Sequence, residues 1–345
     1  MQNTDHQVII GSAAKMIQLD SNFIDLVVTS PPYPMINMWD ELFCSLNPSI
    51  TANIIQQYPE IAFEKMHELL DQVWRELYRV LKNGAFICIN IGDAIRTINN
   101  QFRLYPNHAR IQNSLAEIGF NPLPLIVWRK PANSPNKFMG SGMLPAGAYI
   151  TLEHEYIIIA RKGDKRNFCS PGEKERRMKS AYFWEERNSW FSDLWEIKGA
   201  RQEDGDPANR RRSAAYPFEI PFRLLNMFSL IGDKVLDPFL GTGTTSLAAI
   251  ITGRNSWGYE VDSSLLPKIA KRLLDAPNIY GNYNNERLNN HYLHVQNTLE
   301  QGKSLKYYHH AYKFPVKTRQ ETKLTLPRFS SLQQISAHLF RAVYD

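Results

Sequence analysis

Apolar positions along the chain switch between a spacing of three to four residues and short unbroken runs, which predicts helices and buried strands in alternation. Val8-Ile9-Ile10 is cut off by Gly11-Ser12, and Ile24-Asp25-Leu26-Val27-Val28 then runs into Thr29-Ser30-Pro31-Pro32-Tyr33. Two strands around a short helical stretch predict βαβ wiring. From Phe63 onward, Met66, Leu69, Leu70, Val73, Trp74, Leu77, Val80 and Leu81 share one helical face, and Asn83-Gly84 ends the pattern. An apolar strand over 85–91, a helix near 108–118 and strands near 123–128 and 155–160 follow. After an irregular stretch the wiring resumes with a helix near 217–230, a strand at 234–237 and a glycine-rich turn. A helix to residue 252, a strand at 256–259 and a helix to residue 274 complete it, and the tail after Asn278 has no clear period.

This alternation predicts an α/β fold, doubly wound about a mostly parallel sheet. The 345 residues accommodate two average domains, or one large domain with an appended substrate-reading part. The expected divisions are 1–160 with the diproline loop, 161–212 as an insert, 213–277 with the glycine loop, and 278–345 as an extension of unassigned role.

Composition changes the picture in three places. An apolar share of 43% against 21% charged describes a chain that folds. Met1–Gln7 does not resemble a targeting signal and no apolar run approaches the roughly 20 residues of a membrane span, so a cytoplasmic protein with no membrane contact is expected. Cys44, Cys88 and Cys169 are far apart and lack ligand spacing, which predicts neither disulfide nor metal.

The formal charge is +6, and residues 161–212 hold 14 basic and 10 acidic side chains, a net +4. Tyr182, Phe183, Trp184, Trp190, Phe191 and Trp195 are interleaved with them. Two readings compete, a nucleic-acid face and a solvated charged surface with core tryptophans. The first makes Arg176, Arg177, Lys179, Arg210, Arg211 and Arg212 candidate DNA contacts.

Val235-Leu236-Asp237-Pro238-Phe239-Leu240-Gly241-Thr242-Gly243-Thr244-Thr245 packs a strand, a tight turn and a helix start into eleven residues. Glycines let the backbone approach a ligand, and the helix N-terminus offers unpaired N–H groups to a carboxylate. Glu260 ends the next strand, where a carboxylate can accept from ribose hydroxyls. A triphosphate loop would need a lysine after the glycines, and a dinucleotide site would need a third glycine where Ser246 stands. A nucleoside cofactor carrying an amino acid fits better.

Ser30-Pro31-Pro32-Tyr33 ends a buried strand, at the end that faces the ligand crevice in open α/β sheets. Two successive prolines fix the backbone and remove competing N–H donors. Ser30 Oγ and the Pro31 carbonyl are then candidate acceptors for an exocyclic amine, whose lone pair becomes available as both its N–H groups are held. Tyr33 is expected to stack on a base extruded from the duplex.

Taken together, these two motifs resemble the DNA amino-methyltransferase family that modifies cytosine N4 or adenine N6, in its permuted beta group. The catalytic motif comes first, the cofactor loop last, and the target-recognition region falls between them. Leu81-Lys82-Asn83-Gly84, Glu155-Tyr156 and Tyr216-Pro217-Phe218 support the match, which runs from Val8 to about Leu274. The resemblance implies the S-adenosylmethionine-dependent methyltransferase fold, S-adenosylmethionine as cofactor, double-stranded DNA as substrate and a restriction endonuclease acting separately.

It also implies that Asp237 lies by the methionine ammonium, that Phe239, Gly241, Thr242, Gly243, Thr244 and Thr245 line the cofactor, and that Glu260 holds its ribose. Ser12 stands where the family often has an aspartate near the adenine. Serine at position 30 implies cytosine N4 as target, and aspartate there would imply adenine N6. Methylation at cytosine C5 would need a cysteine nucleophile in a Pro-Cys loop, which the chain lacks. The alternatives are an N6-adenine enzyme, a non-catalytic nucleic-acid binder on the same fold, and a methyltransferase for RNA or for protein glutamine.

Overall fold

The computed structural model describes residues 3–56, 58–131, 139–199 and 216–345. Its first strands are β1 (Thr4–Ile10) and β2 (Ile24–Thr29), the latter buried along its whole length. Helices α1 (Asp40–Leu46) and α2 (Pro48–Ile55) lead to the long α3 (Pro59–Val80), which has proline in its first turn. Phe63, Met66, Leu70, Val73, Trp74, Leu77 and Val80 are buried along one face of α3, as their spacing predicts.

The pattern was expected to stop at Asn83-Gly84, yet α3 ends at Val80 and β3 (Leu81–Ile91) begins at once. Gly84 has φ +83° in the irregular start of β3, and a Cβ there would meet the Arg166 backbone nitrogen at 2.6 Å. It is a close-approach glycine and not a helix cap.

β4 (Ala94–Ile98) and β5 (Gln101–Tyr105) form a hairpin that periodicity does not reveal, followed by α4 (Asn107–Ile118) and β6 (Phe120–Arg129). The short pair β7 (Met139–Gly140) and β8 (Ala148–Tyr149) precedes β9 (His154–Lys162). The stretch that follows holds α5 (Pro171–Lys179), α6 (Trp184–Trp190) and β10 (Leu194–Glu196).

The second half is built from α7 (Glu219–Phe228), β11 (Lys234–Asp237), α8 (Thr244–Thr252), β12 (Asn255–Glu260) and α9 (Leu266–Leu274). After these come α10 (Ala276–Tyr280), α11 (Tyr283–Glu300), the hairpin β13 (Tyr307–His309) and β14 (Phe314–Val316), and the antiparallel pair β15 (Phe329–Ser336) and β16 (Leu339–Tyr344).

One ten-stranded sheet runs β10-β6-β9-β3-β2-β11-β12-β1-β16-β15. Its centre, β3-β2-β11-β12-β1, is parallel, and β9 and β16 flank it antiparallel. Neighbouring residues on a strand serve opposite faces: Val27, Ile87 and Ile89 join the core under α3 and α4, whereas Leu26, Val28 and Cys88 join the core under α7, α8 and α9. That division is the physical content of a doubly wound sheet. The two halves of the chain interleave within it, because β1 pairs with β12 and β2 pairs with β11.

The C-terminal extension, which has no period in the sequence, is part of this sheet. β16 covers the outer edge of β1, and Phe340 and Ala342 are wholly buried in the second core. Phe340→Ala is expected to cost about 3–5 kcal/mol in urea denaturation. A loss below about 1 kcal/mol would show the extension to be an appendage.

Candidate functional site

Because β2 and β11 are adjacent and parallel, with Leu26 opposite Val235 and Val27 opposite Leu236, their carboxyl ends open at one place. Thr29 Oγ1 donates to Asp237 Oδ1 at 2.6 Å, and Thr245 Oγ1 donates to Asp237 Oδ2 at 2.5 Å. The Phe239 amide adds a third hydrogen bond at 3.1 Å. Tyr216, buried, lies 2.5 Å from Thr245 Oγ1, and since that hydroxyl has given its hydrogen to Asp237, the phenol donates. Burial pushes the Asp237 carboxyl up to about 6, against the hydrogen bonds from Thr245, Thr29 and Phe239. Three of its roughly four acceptor positions serve the chain's own donors, so it is first an internal tie and only secondarily a ligand contact.

The glycine-rich turn is shaped by positive φ, +53° at Gly241 and +85° at Gly243. A Cβ on Gly241 would meet nothing closer than the Phe239 carbonyl at 4.0 Å, so the space above this residue is open. Gly241 N–H donates to Glu260 Oε2 at 2.9 Å, and Asp262 N–H donates to Oε1 at 2.9 Å. Burial is the largest influence on Glu260 and raises its pKa, while these amides oppose it.

α8 begins directly after Gly243 with no side chain capping its first turn. Thr242 and Thr244 have their hydroxyls held by Arg272 from α9. Phe239 lies edge-on to Trp74, with centroids 6.1 Å apart. Gly11 N–H bonds the Glu260 carbonyl at 2.8 Å, which brings exposed Ser12 to the same end of the sheet.

On the diproline side, Pro31, Pro32 and Tyr33 are buried and Ser30 is half-buried. Tyr33 donates to Glu155 Oε2 at 2.8 Å, lies 3.2 Å from Ser30 Oγ and receives Asn90 Nδ2 at 2.8 Å. Asn90 Nδ2 also reaches Glu155 Oε2 at 2.7 Å, and Lys130 ion-pairs with Glu155 Oε1. Burial, then the Glu155 charge, push the Tyr33 phenol well above its ordinary range, so it stays protonated.

Tyr33 is 9% exposed and its ring lies against Gly92, where a Cβ would come within 3.1 Å. Little of the ring is left for the stacking role expected of it. Asn107, wholly buried, donates to the carbonyls of Pro34 and Gly92 at 3.1 and 3.0 Å and so braces the loop from behind.

The structure therefore brings Ser12, Ser30 to Tyr33, Asp237 to Thr245 and Glu260 to one end of the sheet. It also reveals five residues that sequence reasoning did not place in the site: Asn90, Asn107, Lys130, Glu155 and Tyr216. Asn90 carries the same signal as Ser30, a polar residue ending an apolar strand. Lys130 and Asn107 carry no such signal.

The basic stretch lies apart from these loops where it is described. Arg176 pairs with Asp233 at 3.0 Å, and Asp233 precedes β11, at the opposite end of the parallel strands from Ser30 and Glu260. Arg166 pairs with the same carboxylate at 2.6 Å, and Ser180 Oγ accepts from Ile231 N–H, which fixes α5 at that end. Arg177 lies over the Phe168 ring at 4.6 Å, and Lys179 pairs with Glu175 at 2.9 Å. Arg210, Arg211 and Arg212 fall outside the described residues.

Three of the six aromatics are core residues, whereas Trp184 and Phe191 are exposed and Tyr182 is half-buried. Phe183, Trp190 and Trp195 are buried, and β10 joins the sheet edge in parallel with β6. The physical reason is that Asp233, 1% exposed in its side chain, needs cations and the outer strand needs an apolar cover. α5, α6 and β10 supply both.

Among the described residues no helix is long and apolar enough to cross a membrane, and no group of three or more His, Cys, Asp or Glu could hold a metal. Cys88 lies inside the sheet, where burial pushes its thiol far up, and Cys44 and Cys169 are free.

Residues 24–272 match the family of N6/N4 DNA methylases. Type II methyltransferase M.MthZI of Methanothermobacter thermautotrophicus is 46% identical over 99% of this chain and 96% of its own length. Type II methyltransferase M.MjaI of Methanocaldococcus jannaschii is 52% identical over 78% of this chain and 91% of its own. Among solved structures, TTHA0409 of Thermus thermophilus, described as a putative DNA modification methylase and complexed with S-adenosyl-L-methionine, is 29% identical. It superposes with a TM-score of 0.61 over 79% of this chain and 94% of that one. A site in which the diproline loop and the glycine loop meet on one carboxylate, with a family match across both, leads to one conclusion: the chain belongs to the N6/N4 DNA methylase family.

Proposed function

We propose that this DNA methyltransferase uses S-adenosylmethionine to methylate N4 of a cytosine flipped out of double-stranded DNA. The observation that carries the reading is the Asp237 carboxylate shared by Thr29 and Thr245, since it joins a loop fit for an amine to a loop fit for a cofactor. The chain's residues suit the cofactor. The open space above Gly241 admits its backbone-hugging part, and the uncapped first turn of α8 offers N–H groups to its carboxylate. Glu260 keeps lone pairs for ribose hydroxyls beyond the two amides it accepts.

When bound, S-adenosylmethionine supplies an electrophilic methyl group. Ser30 Oγ and the Pro31 carbonyl would accept the two N–H groups of the base amine and so make its nitrogen lone pair available. The diproline corner, braced by Asn107, holds those acceptors without reorganisation, and positioning of this kind supplies most of the acceleration. Tyr33 acts chiefly through its hydroxyl, by orienting Ser30.

Ser30 supports cytosine over adenine through the family resemblance. A cognate restriction endonuclease fits the Type II names of the relatives. DNA reaches the site from the carboxyl end of the strands, where Lys130 and the residue 139–153 segment between β6 and β9 emerge.

Single-molecule sequencing of DNA methylated by the protein reads base and context together. N4-methylcytosine is the expected product, N6-methyladenine would replace cytosine as target, and retention of DNA with no incorporated methyl would leave a binder. Ser30→Ala and Tyr33→Ala are each expected to lower kcat about 100-fold with cofactor affinity nearly kept, and Glu260→Ala to weaken cofactor binding at least about tenfold. Equal effects on both parameters would reject this division of roles.

Asp237 yields a pH test. Its folded pKa of about 6 lies above the ordinary 3.8, so its contribution to stability is full below about pH 4 and is lost as pH rises through 6. Relative to Asp237→Asn, the wild type is expected to lose up to about 3 kcal/mol of unfolding free energy between pH 4 and 7. A difference independent of pH would contradict the raised Asp237 pKa.

A further inference from the structure

A serine hydroxyl can donate or accept, and methylation of an amine needs it to accept, because the amine presents only N–H groups to the acceptors around it. The hydrogen bonds behind Ser30 decide which way it points. Glu155, its side chain 14% exposed and ion-paired with Lys130, can only accept. Tyr33 spends its single hydrogen on Glu155 at 2.8 Å. Asn90 Nδ2 lies 2.7 Å from Glu155 Oε2, 2.8 Å from Tyr33 Oη and 3.4 Å from Ser30 Oγ, and donates to this group of oxygens. The reverse amide orientation would set Asn90 Oδ1 against the carboxylate. Tyr33 Oη then has a lone pair left and no hydrogen, and Ser30 Oγ lies 3.2 Å away. Ser30 therefore donates inward to Tyr33, and beyond its long contact from Asn90 at 3.4 Å it keeps a lone pair for an outside donor.

We propose that Glu155, held by Lys130, is the positioning residue that fixes this direction through Tyr33 and makes Ser30 an obligate acceptor for the base amine. An aspartate at position 30 would accept without help, so the device is what allows a neutral serine to serve. The inference rests on the methyltransferase reading above and specifies how its target loop is polarised.

Glu155→Gln tests it without changing shape. Lys130 would draw the amide oxygen of residue 155, turning its NH2 towards Tyr33. Tyr33 would then donate to Ser30, and Ser30 would point its hydrogen at the amine. The expected result is a fall in kcat of about 100-fold with the cofactor dissociation constant within about threefold of wild type. Adding Lys130→Met removes the pull on the oxygen, lets the amide turn over and restores acceptance. The double variant is expected to be about tenfold or more faster than Glu155→Gln alone.

A merely structural role for Glu155 would make the double variant equal or slower, and that outcome overturns the proposal. So does a Glu155→Gln kcat within about threefold of wild type. Should Glu155→Gln fail to fold, Tyr33→Phe reads the same chain, since it releases the Ser30 hydrogen. Its kcat is expected to fall with cofactor affinity kept, and an unchanged kcat overturns the proposal. Absence of labelled methyl transfer to DNA by the wild type would instead overturn the methyltransferase reading itself.

Discussion

The site depends on one buried carboxylate that faces two ways. Asp237 takes a hydroxyl from Thr29, the last residue before the diproline loop, and a hydroxyl from Thr245, in the first turn of the helix after the glycine loop. Parallel pairing of β2 with β11 sets the two loops side by side, and the shared acceptor fixes their distance to within a hydrogen bond. Charge buried this deeply is unfavourable on its own, which is why three donors converge on it and why its pKa still rises. The chain accepts that cost where, on the proposed function, the two reactants of a group transfer are held in register.

A second polar cluster, Ser30, Tyr33, Asn90, Glu155 and Lys130, does for direction what Asp237 does for distance. Its members come from β2, β3, β6 and β9 or the residues just beyond them, so the antiparallel strand β9 contributes to the proposed site. Both clusters sit on strand ends and not on long loops, which suits chemistry that needs fixed acceptors.

Much of this was legible in the sequence because it lies in contiguous segments. The strands, the amphipathic α3, the diproline corner and the glycine turn each announce themselves by periodicity or by residues with restricted backbones. Glu155 was not legible as a site residue, since it matters only through partners on other strands. The basic aromatic stretch is ambiguous in sequence for a related reason. Composition cannot distinguish cations aimed at phosphate from cations aimed at Asp233, or stacking tryptophans from Trp190 and Trp195 sealing a sheet edge. The tail escaped because β16 finds its partner β1 at the far end of the chain, and β15 is an edge strand paired with β16.

A double-mutant cycle on methyl transfer addresses the shared carboxylate directly. With Thr29→Val, Thr245→Val and the pair measured under single turnover, the account predicts that the pair loses clearly less than the sum of the two single losses. The coupling energy should exceed about 1 kcal/mol, because either change already unties the loops. Additive losses within about 0.5 kcal/mol would show that the two loops are held independently and would contradict the account.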